Sequence, residues 1–162
     1  MLAILKFLWK KTAAAAVFAF TAVSLAVISF PFFLPLSDFS FAGYGGGKGG
    51  AEREYALYSA TSSAAFDTDP SIYEALFIRG ETVIFRNKNQ AESEEIKEAA
   101  IGKYKASVRF AETAEGKTSY YCYSPKIGEA KAKTIGGEKI NLHIVTGEGE
   151  VRIGSPVVCG GY

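Results

Sequence analysis

The residue types best suited to nucleophilic or metal chemistry are scarce in this chain: one histidine, His143, and two cysteines, Cys122 and Cys159. A metal site normally needs several histidine, cysteine or carboxylate ligands that converge, and no spacing in this sequence offers that. A catalytic cysteine–histidine pair would need a third, orienting residue and a setting that stabilises the thiolate, and neither is identifiable. We therefore predict no catalytic residue, no metal site and no cofactor.

The two cysteines lie 37 positions apart, and two alternatives stay open for them. Outside the cell a disulfide between Cys122 and Cys159 can persist. In the chain-entropy model, closing a loop of that length stabilises a protein by roughly 3–4 kcal/mol. The other alternative is a pair of separate thiols, each buried as a small apolar side chain.

Four side chains form the predicted binding surface: Asn141, His143, Tyr121 and Tyr123. In an extended strand, Asn141 and His143 point to the same side, because successive side chains alternate between the two faces. Tyr121 and Tyr123 likewise share one face, and exposed tyrosines there would suit stacking on a sugar or contact with a protein. The alternative is that these residues only pack against neighbouring strands.

The first two strands that would carry such a surface are predicted at residues 75–79 and 82–86, which are rich in β-branched and aromatic side chains. Gly80-Glu81 between them is typical of a two-residue hairpin turn. That pairing would place four apolar side chains on one face as the predicted core: Leu76, Ile78, Val83 and Phe85.

A helix is predicted next, beginning at Asn89. Asn89 and Glu92 have the spacing of a capping box, in which each side chain binds the backbone N–H of the other residue. Ile96, Ala100 and Tyr104 then recur at the spacing of one helical stripe. We expect that stripe to pack on a sheet.

Two more hairpins are predicted. The first pairs residues 107–111 with 118–124 through a polar stretch that ends in Glu115-Gly116, and the second pairs residues 140–146 with 150–153 through Gly147-Glu148-Gly149. A short final strand is predicted at residues 156–159. The expected element order is β-β-α-β-β-β-β. A single helix must bury its apolar stripe against another layer. The expected fold is therefore a two-layer α+β domain with a mostly antiparallel sheet.

Ahead of this domain, residues 12–36 form an uncharged, mostly apolar run that follows Lys6, Lys10 and Lys11. About 20 helical residues cross the hydrocarbon layer of a bilayer, so the run is long enough to span one. Lysines on its near side predict a single-pass helix in the cytoplasmic membrane, with the N-terminus inside and the following domain outside. Pro31 and Pro35 predict that the regular helix ends near residues 29–30.

The alternative for this segment is a signal peptide cleaved after Ala42, which would release a secreted domain. The predicted organisation is a signal anchor or signal peptide at residues 1–36, a flexible glycine-rich linker and loop at residues 37–72, and an exported domain at residues 73–162. Within the linker, residues 52–65 fit either a short helix or a disordered stretch.

Charge excludes one class of function. The chain carries 18 basic and 17 acidic residues, and three of the basic residues precede residue 36. The rest therefore holds 15 basic and 17 acidic residues, a net charge of −2. That balance lacks the positive footprint that nucleic-acid binding needs, so we predict no nucleic-acid partner.

Four short segments give the second half of the chain a family likeness. They are Arg-Gly-Glu-Thr-Val at residues 79–83, Ser-Tyr-Tyr-Cys-Tyr-Ser-Pro at residues 119–125, Asn-Leu-His-Ile at residues 141–144 and Gly-Ser-Pro-Val-Val at residues 154–158. On these, residues 75–162 resemble the YwmB family, small exported proteins of Gram-positive bacteria grouped with the TATA-box-binding-protein fold. The resemblance implies an α+β domain outside the membrane, and it supplies neither an activity nor catalytic residues.

The leading functional hypothesis is a non-enzymatic module outside the cytoplasmic membrane, either tethered or secreted. It would recognise or support something at the bacterial cell surface, with the membrane itself and an exported protein or a cell-wall ligand as its partners. The alternative is an enzyme that acts on an envelope substrate. That activity would require His143 to meet a carboxylate, for which we name Glu81, Glu112 and Glu138.

Overall fold

The chain divides into two compact units, Met1–Phe33 and Leu34–Tyr162. A computed structural model of the protein describes residues 2–28, 36, 51–57, 66–67, 69–71, 74 and 77–159. The predicted cleavage site after Ala42 and the predicted core residue Leu76 lie outside the described residues.

The first unit contains helix α1, which spans Leu2–Ile28. The helix end predicted near residues 29–30 lies outside the described residues. None of the helices in the described part of the chain combines the length and the hydropathy that a bilayer crossing requires.

The second unit is built on a seven-stranded antiparallel sheet, and it confirms the predicted α+β class. Across the sheet the strand order is β2-β1-β3-β9-β8-β5-β4, and β6 with β7 forms a separate two-stranded sheet. The elements after α1 are β1 (Glu52–Leu57), β2 (Phe66–Asp67), β3 (Ile78–Lys88), α2 (Gln90–Tyr104), β4 (Ser107–Ala114), β5 (Lys117–Tyr123), a 3₁₀ turn (Glu129–Lys131), β6 (Lys133–Ile135), β7 (Glu138–Ile140), β8 (Leu142–Gly147) and β9 (Gly149–Ser155).

Helix α2 begins as the sequence predicts. The Asn89 side chain accepts the N–H of Glu92, and the Glu92 carboxylate accepts the N–H of Asn89, so the capping box is present. One face of α2 is buried and packs on the sheet. We call the side of the sheet that contacts α2 the helix-side face. The core between them contains these side chains: Leu36, Val83, Phe85, Ile96, Ala100, Tyr104, Cys122, Leu142, Ile144, Val151 and Ile153.

The predicted hairpin at Gly80-Glu81 is wrong, because both residues lie inside the continuous strand β3. Glycine is suited to this position since a Cβ there would lie 3.2 Å from the carbonyl oxygen of Ser155 on the neighbouring strand. Of the predicted core residues, Val83 and Phe85 are in the core. Ile78 is buried but pairs with Leu57 rather than with Val83.

Strand β1 lies in the region that we assigned to the linker, where the sequence left a helix and disorder open. It pairs with β3, with Arg53 opposite Val83 and Tyr55 opposite Glu81. The short, charged sequence of β1 has little strand preference of its own. Its conformation therefore depends on the hydrogen bonds that β3 supplies.

The other two predicted hairpins are confirmed. Strands β4 and β5 turn through Glu115 and Gly116, which have positive φ angles of 52° and 75°, the signs that a type I′ turn requires. Strands β8 and β9 are paired and turn at Glu148-Gly149. The predicted strand at residues 156–159 is wrong, because the chain bends after Ser155 and folds back onto the sheet.

Candidate functional site

His143 and Tyr121 lie side by side on the face of the sheet opposite α2, which we call the distal face. The rings of Phe110, Tyr121 and His143 form a stacked row across β4, β5 and β8. Each neighbouring pair of ring centroids is 4.4 Å apart, with interplanar angles of 18° and 13°. Both faces of the Tyr121 ring are therefore in contact with other rings, and neither can stack on a ligand.

The imidazole of His143 is enclosed. His143 is 2% exposed, and its Nδ1 accepts the N–H of Val158 at 3.3 Å. Burial lowers the pKa of His143 to about 4, so the ring is neutral near pH 7. A neutral imidazole held by a ring on one side and a backbone N–H on the other serves as a packing element.

Residues 156–159 complete this enclosure by lying over Gly154. A Cβ on Gly154 would come within 2.4 Å of the Val158 nitrogen, so only glycine allows the segment to approach. Beyond Gly154, the N–H of Cys159 donates to Thr82 Oγ1 at 2.7 Å. The C-terminal segment thus contacts three neighbouring strands of the sheet, β8, β9 and β3.

Both cysteines are free and buried, which matches the second of the two alternatives that their spacing left open. Cys122 is in the core on the helix-side face, and burial raises the pKa of its thiol to about 11. The backbone of Cys159 is bound to Thr82 on the distal face, and burial also raises the pKa of the Cys159 thiol. The sheet separates the two residues.

The three carboxylates named for the enzyme hypothesis lie away from His143. Glu81 is on the helix-side face, where it accepts the N–H of Leu36. Glu112 is exposed on β4, two strands and about 10 Å from β8, and Glu138 is exposed on β7. Among the described residues no group of three histidine, cysteine or acidic side chains is placed to bind a metal ion.

Asn141 and Tyr123 make local contacts. The Asn141 side chain is fully buried and bonds to three backbone groups, the N–H and the carbonyl of Ser124 and the carbonyl of Gly128. These bonds hold the loop that follows β5. Tyr123 is half-buried, with the Arg109 guanidinium 5.5 Å from its ring centroid. Asn141 is therefore a structural residue.

A cleft of about 740 Å³ lies at one end of the sheet, where β3 leads into α2. Residues 87–90 and the side chain of Ser93 line one side of it, and Gly116 and residues 147–149 line the other. The lining thus comes from a helix N-terminus and from the tips of two β-hairpins. We call this the hairpin-tip cleft.

Two polar side chains, Lys88 and Ser93, line the hairpin-tip cleft. The Lys88 side chain is 8% exposed, and its ammonium lies 3.9 Å from a carboxylate oxygen of Glu92, beyond hydrogen-bond distance. Ser93 is 5% exposed, and its hydroxyl has no hydrogen-bond partner within the described chain. An unpaired buried hydroxyl costs about 1–3 kcal/mol, and this one lies beside an open cleft.

The sequence alone did not predict this site, although it predicted the elements that line it. The capping box placed the start of α2, and the glycine turns placed the hairpin tips. In an antiparallel sheet, the turns β4–β5 and β8–β9 lie at the same end, where β3 also ends. That strand order was the missing information.

The later part of the chain contains the segments that resemble the YwmB family, and that likeness stays a prediction. No family model matches the sequence, and neither a curated protein nor a solved structure shows significant similarity to it.

Proposed function

We propose that the protein is a non-enzymatic recognition module outside the cytoplasmic membrane, and that the hairpin-tip cleft is its binding site. The observation that carries the proposal is the buried Ser93 hydroxyl, which has no hydrogen-bond partner within the described chain, in an open cleft that Lys88 also lines. Ligand sites are typically concave and contain a few placed polar groups. At the predicted surface around His143, stacked aromatic rings and residues 156–159 enclose the imidazole instead.

The proposed location depends on the N-terminal segment, whose lysines and uncharged run favour a single-pass anchor with the domain outside. Leu36 supports the anchored form over the cleaved one. It is fully buried in the core of the second unit, and cleavage after Ala42 would remove it. The proposed arrangement is therefore a domain that is tethered and exposed to envelope components.

The non-enzymatic role is supported by the surroundings of His143. Its ring is enclosed, and its pKa of about 4 is far from the value near the working pH that suits a general acid or base. Glu81, which the enzyme hypothesis would pair with it, projects to the opposite face of the sheet. Cell-wall material or another exported protein remains the proposed partner class.

The test is binding of the full chain, in detergent, to isolated bacterial envelope fragments by co-sedimentation. Gln90→Trp places a bulky side chain in the hairpin-tip cleft, whereas Glu95→Trp places it on the exposed side of the same helix. We expect Gln90→Trp to weaken binding to the envelope fragments by about tenfold and Glu95→Trp to leave binding unchanged. Equal binding by both variants would contradict a role for the cleft.

A further inference from the structure

We infer that the hairpin-tip cleft binds a phosphate group, with the Lys88 ammonium, the Ser93 hydroxyl and the first N–H groups of α2 as its ligands. The inference rests on the proposed function and names the chemistry of the ligand. Three independent features of the cleft support it.

The first feature is the helix N-terminus. The first N–H groups of a helix have no partner within the helix and carry its positive dipole end. Here Asn89 accepts the N–H groups of Glu92 and Ser93, through its side chain and its carbonyl respectively. The N–H groups of Gln90 and Ala91 come before these and have no intrahelical acceptor. Two donors at the positive end of a helix suit an anion.

The second feature is the pair of polar side chains in the lining. The Lys88 side chain is 8% exposed, and its ammonium lies 3.9 Å from the Glu92 carboxylate, which already accepts the N–H of Asn89. A phosphate oxygen at hydrogen-bond distance would be a closer anionic partner for this ammonium. The Ser93 hydroxyl makes no hydrogen bond within the described chain. Phosphate oxygens would satisfy both groups.

The third feature is the opposite wall, which is made of three glycines and Glu148. Gly116 and Gly149 have positive φ angles, and a Cβ on either would meet no atom within 4 Å. Backbone without side chains lets a ligand approach closely. The Lys117 stem packs against Gly147, so a second lysine lies at this end of the sheet. Glu148 is the acidic residue of the lining, and it is exposed.

Inorganic phosphate is the probe, added to the full chain in phosphatidylcholine nanodiscs and followed by backbone amide NMR. We expect shifts at Gln90 and Ala91, and a dissociation constant weakened about tenfold in Lys88→Met. Ser93→Ala should weaken binding about threefold without loss of stability, because it removes an unpaired hydroxyl. Lys139→Met, a surface control at a distant ion pair, should bind like the parent.

Repeating the titration in nanodiscs that contain phosphatidylglycerol distinguishes two sources of the phosphate group. Weaker apparent binding of free phosphate there would assign the site to a lipid headgroup, and unchanged binding would assign it to a soluble phosphate. Absence of shifts at the start of α2 in phosphatidylcholine nanodiscs, or equal binding by Lys88→Met, would overturn the inference. Envelope binding that stays sensitive to Gln90→Trp in that case would leave the recognition role standing without phosphate.

Discussion

Single residues in this domain owe their properties to the face of the sheet on which they lie. Histidine is a residue type common in catalytic sites, but His143 has the surroundings of a core residue. The stacked rings of Tyr121 and Phe110 and the backbone of Val158 enclose it. Lys88 and Ser93 lack a catalytic signature, yet they line the open cleft. Exposure and pairing, rather than residue type, separate the two sites.

The buried imidazole makes a pH-dependent contribution to stability. His143 has a pKa of about 4 in the folded protein against 6.5 for an exposed histidine, so between these pH values the unfolded chain binds more protons. Stability therefore falls as the pH drops through this window, by about 2 kcal/mol between pH 7 and pH 5. Urea unfolding at both pH values should show that loss in the parent and a smaller one in His143→Gln. Equal losses would contradict a buried, neutral His143.

At the scale of elements, the C-terminal segment, residues 156–159, has no regular secondary structure but encloses part of the sheet. It covers the distal face through a contact that only glycine permits at position 154. It also places the N–H of Cys159 against Thr82 and the N–H of Val158 against His143. The segment acts as a cover for the stacked row.

Gly154→Ala tests this cover. The added methyl group would collide with the backbone of Val158, so we expect a loss of about 2 kcal/mol or more in the free energy of unfolding. Gly102→Ala is the matched control, because a Cβ there meets no atom within 4 Å, and alanine in a helix is favoured by up to about 1 kcal/mol.

Thiol labelling followed by mass spectrometry gives a second readout of the same change. In Gly154→Ala, Cys159 should react faster with a thiol reagent, because the displaced segment carries it, whereas Cys122 stays in the core. Faster labelling of Cys122 alone, or unchanged labelling with unchanged stability, would show that the segment is not held by Gly154.

At the scale of the whole molecule, the domain reaches further toward the N-terminus than the predicted boundary at residue 73. Leu36 is buried in the core, its N–H donates to Glu81 Oε1 at 2.6 Å, and its carbonyl accepts Arg53 at 2.9 Å. The Glu81 carboxylate is 2% exposed and also lies 3.5 Å from Arg53. A residue that the sequence places at the end of an anchor is therefore part of the fold.

Removing Leu36 should destabilise the domain. A chain that begins at Gly43 would leave a cavity and take one partner from the buried Glu81, and we expect a loss of about 3 kcal/mol or more relative to a chain that begins at Leu34. Leu36→Ala should lose about 2–4 kcal/mol, whereas the control Val108→Ala, at a 45% exposed position, should lose less than about 1 kcal/mol. Equal unfolding midpoints for the two shortened chains would refute the contribution of Leu36.

Local patterns determined the elements whose signals are contained in a few consecutive residues. The capping box at Asn89, the buried stripe of α2 and the turn at Glu115-Gly116 are all present in the structure. Each depends on backbone bonding or φ preference within about four residues, which is the range that a sequence pattern reports. The α+β class follows from their order.

Tertiary structure alone decided which strands are neighbours and which faces are covered. Gly80-Glu81 has the composition of a turn, but β9 and β1 on either side keep it extended. The hairpin-tip cleft exists because the strand order brings the end of β3 and two hairpin turns to one edge, and Leu36 enters the core across 45 positions to reach Glu81. Contacts between distant residues depend on packing and burial, and these are properties of the assembled sheet rather than of any short segment.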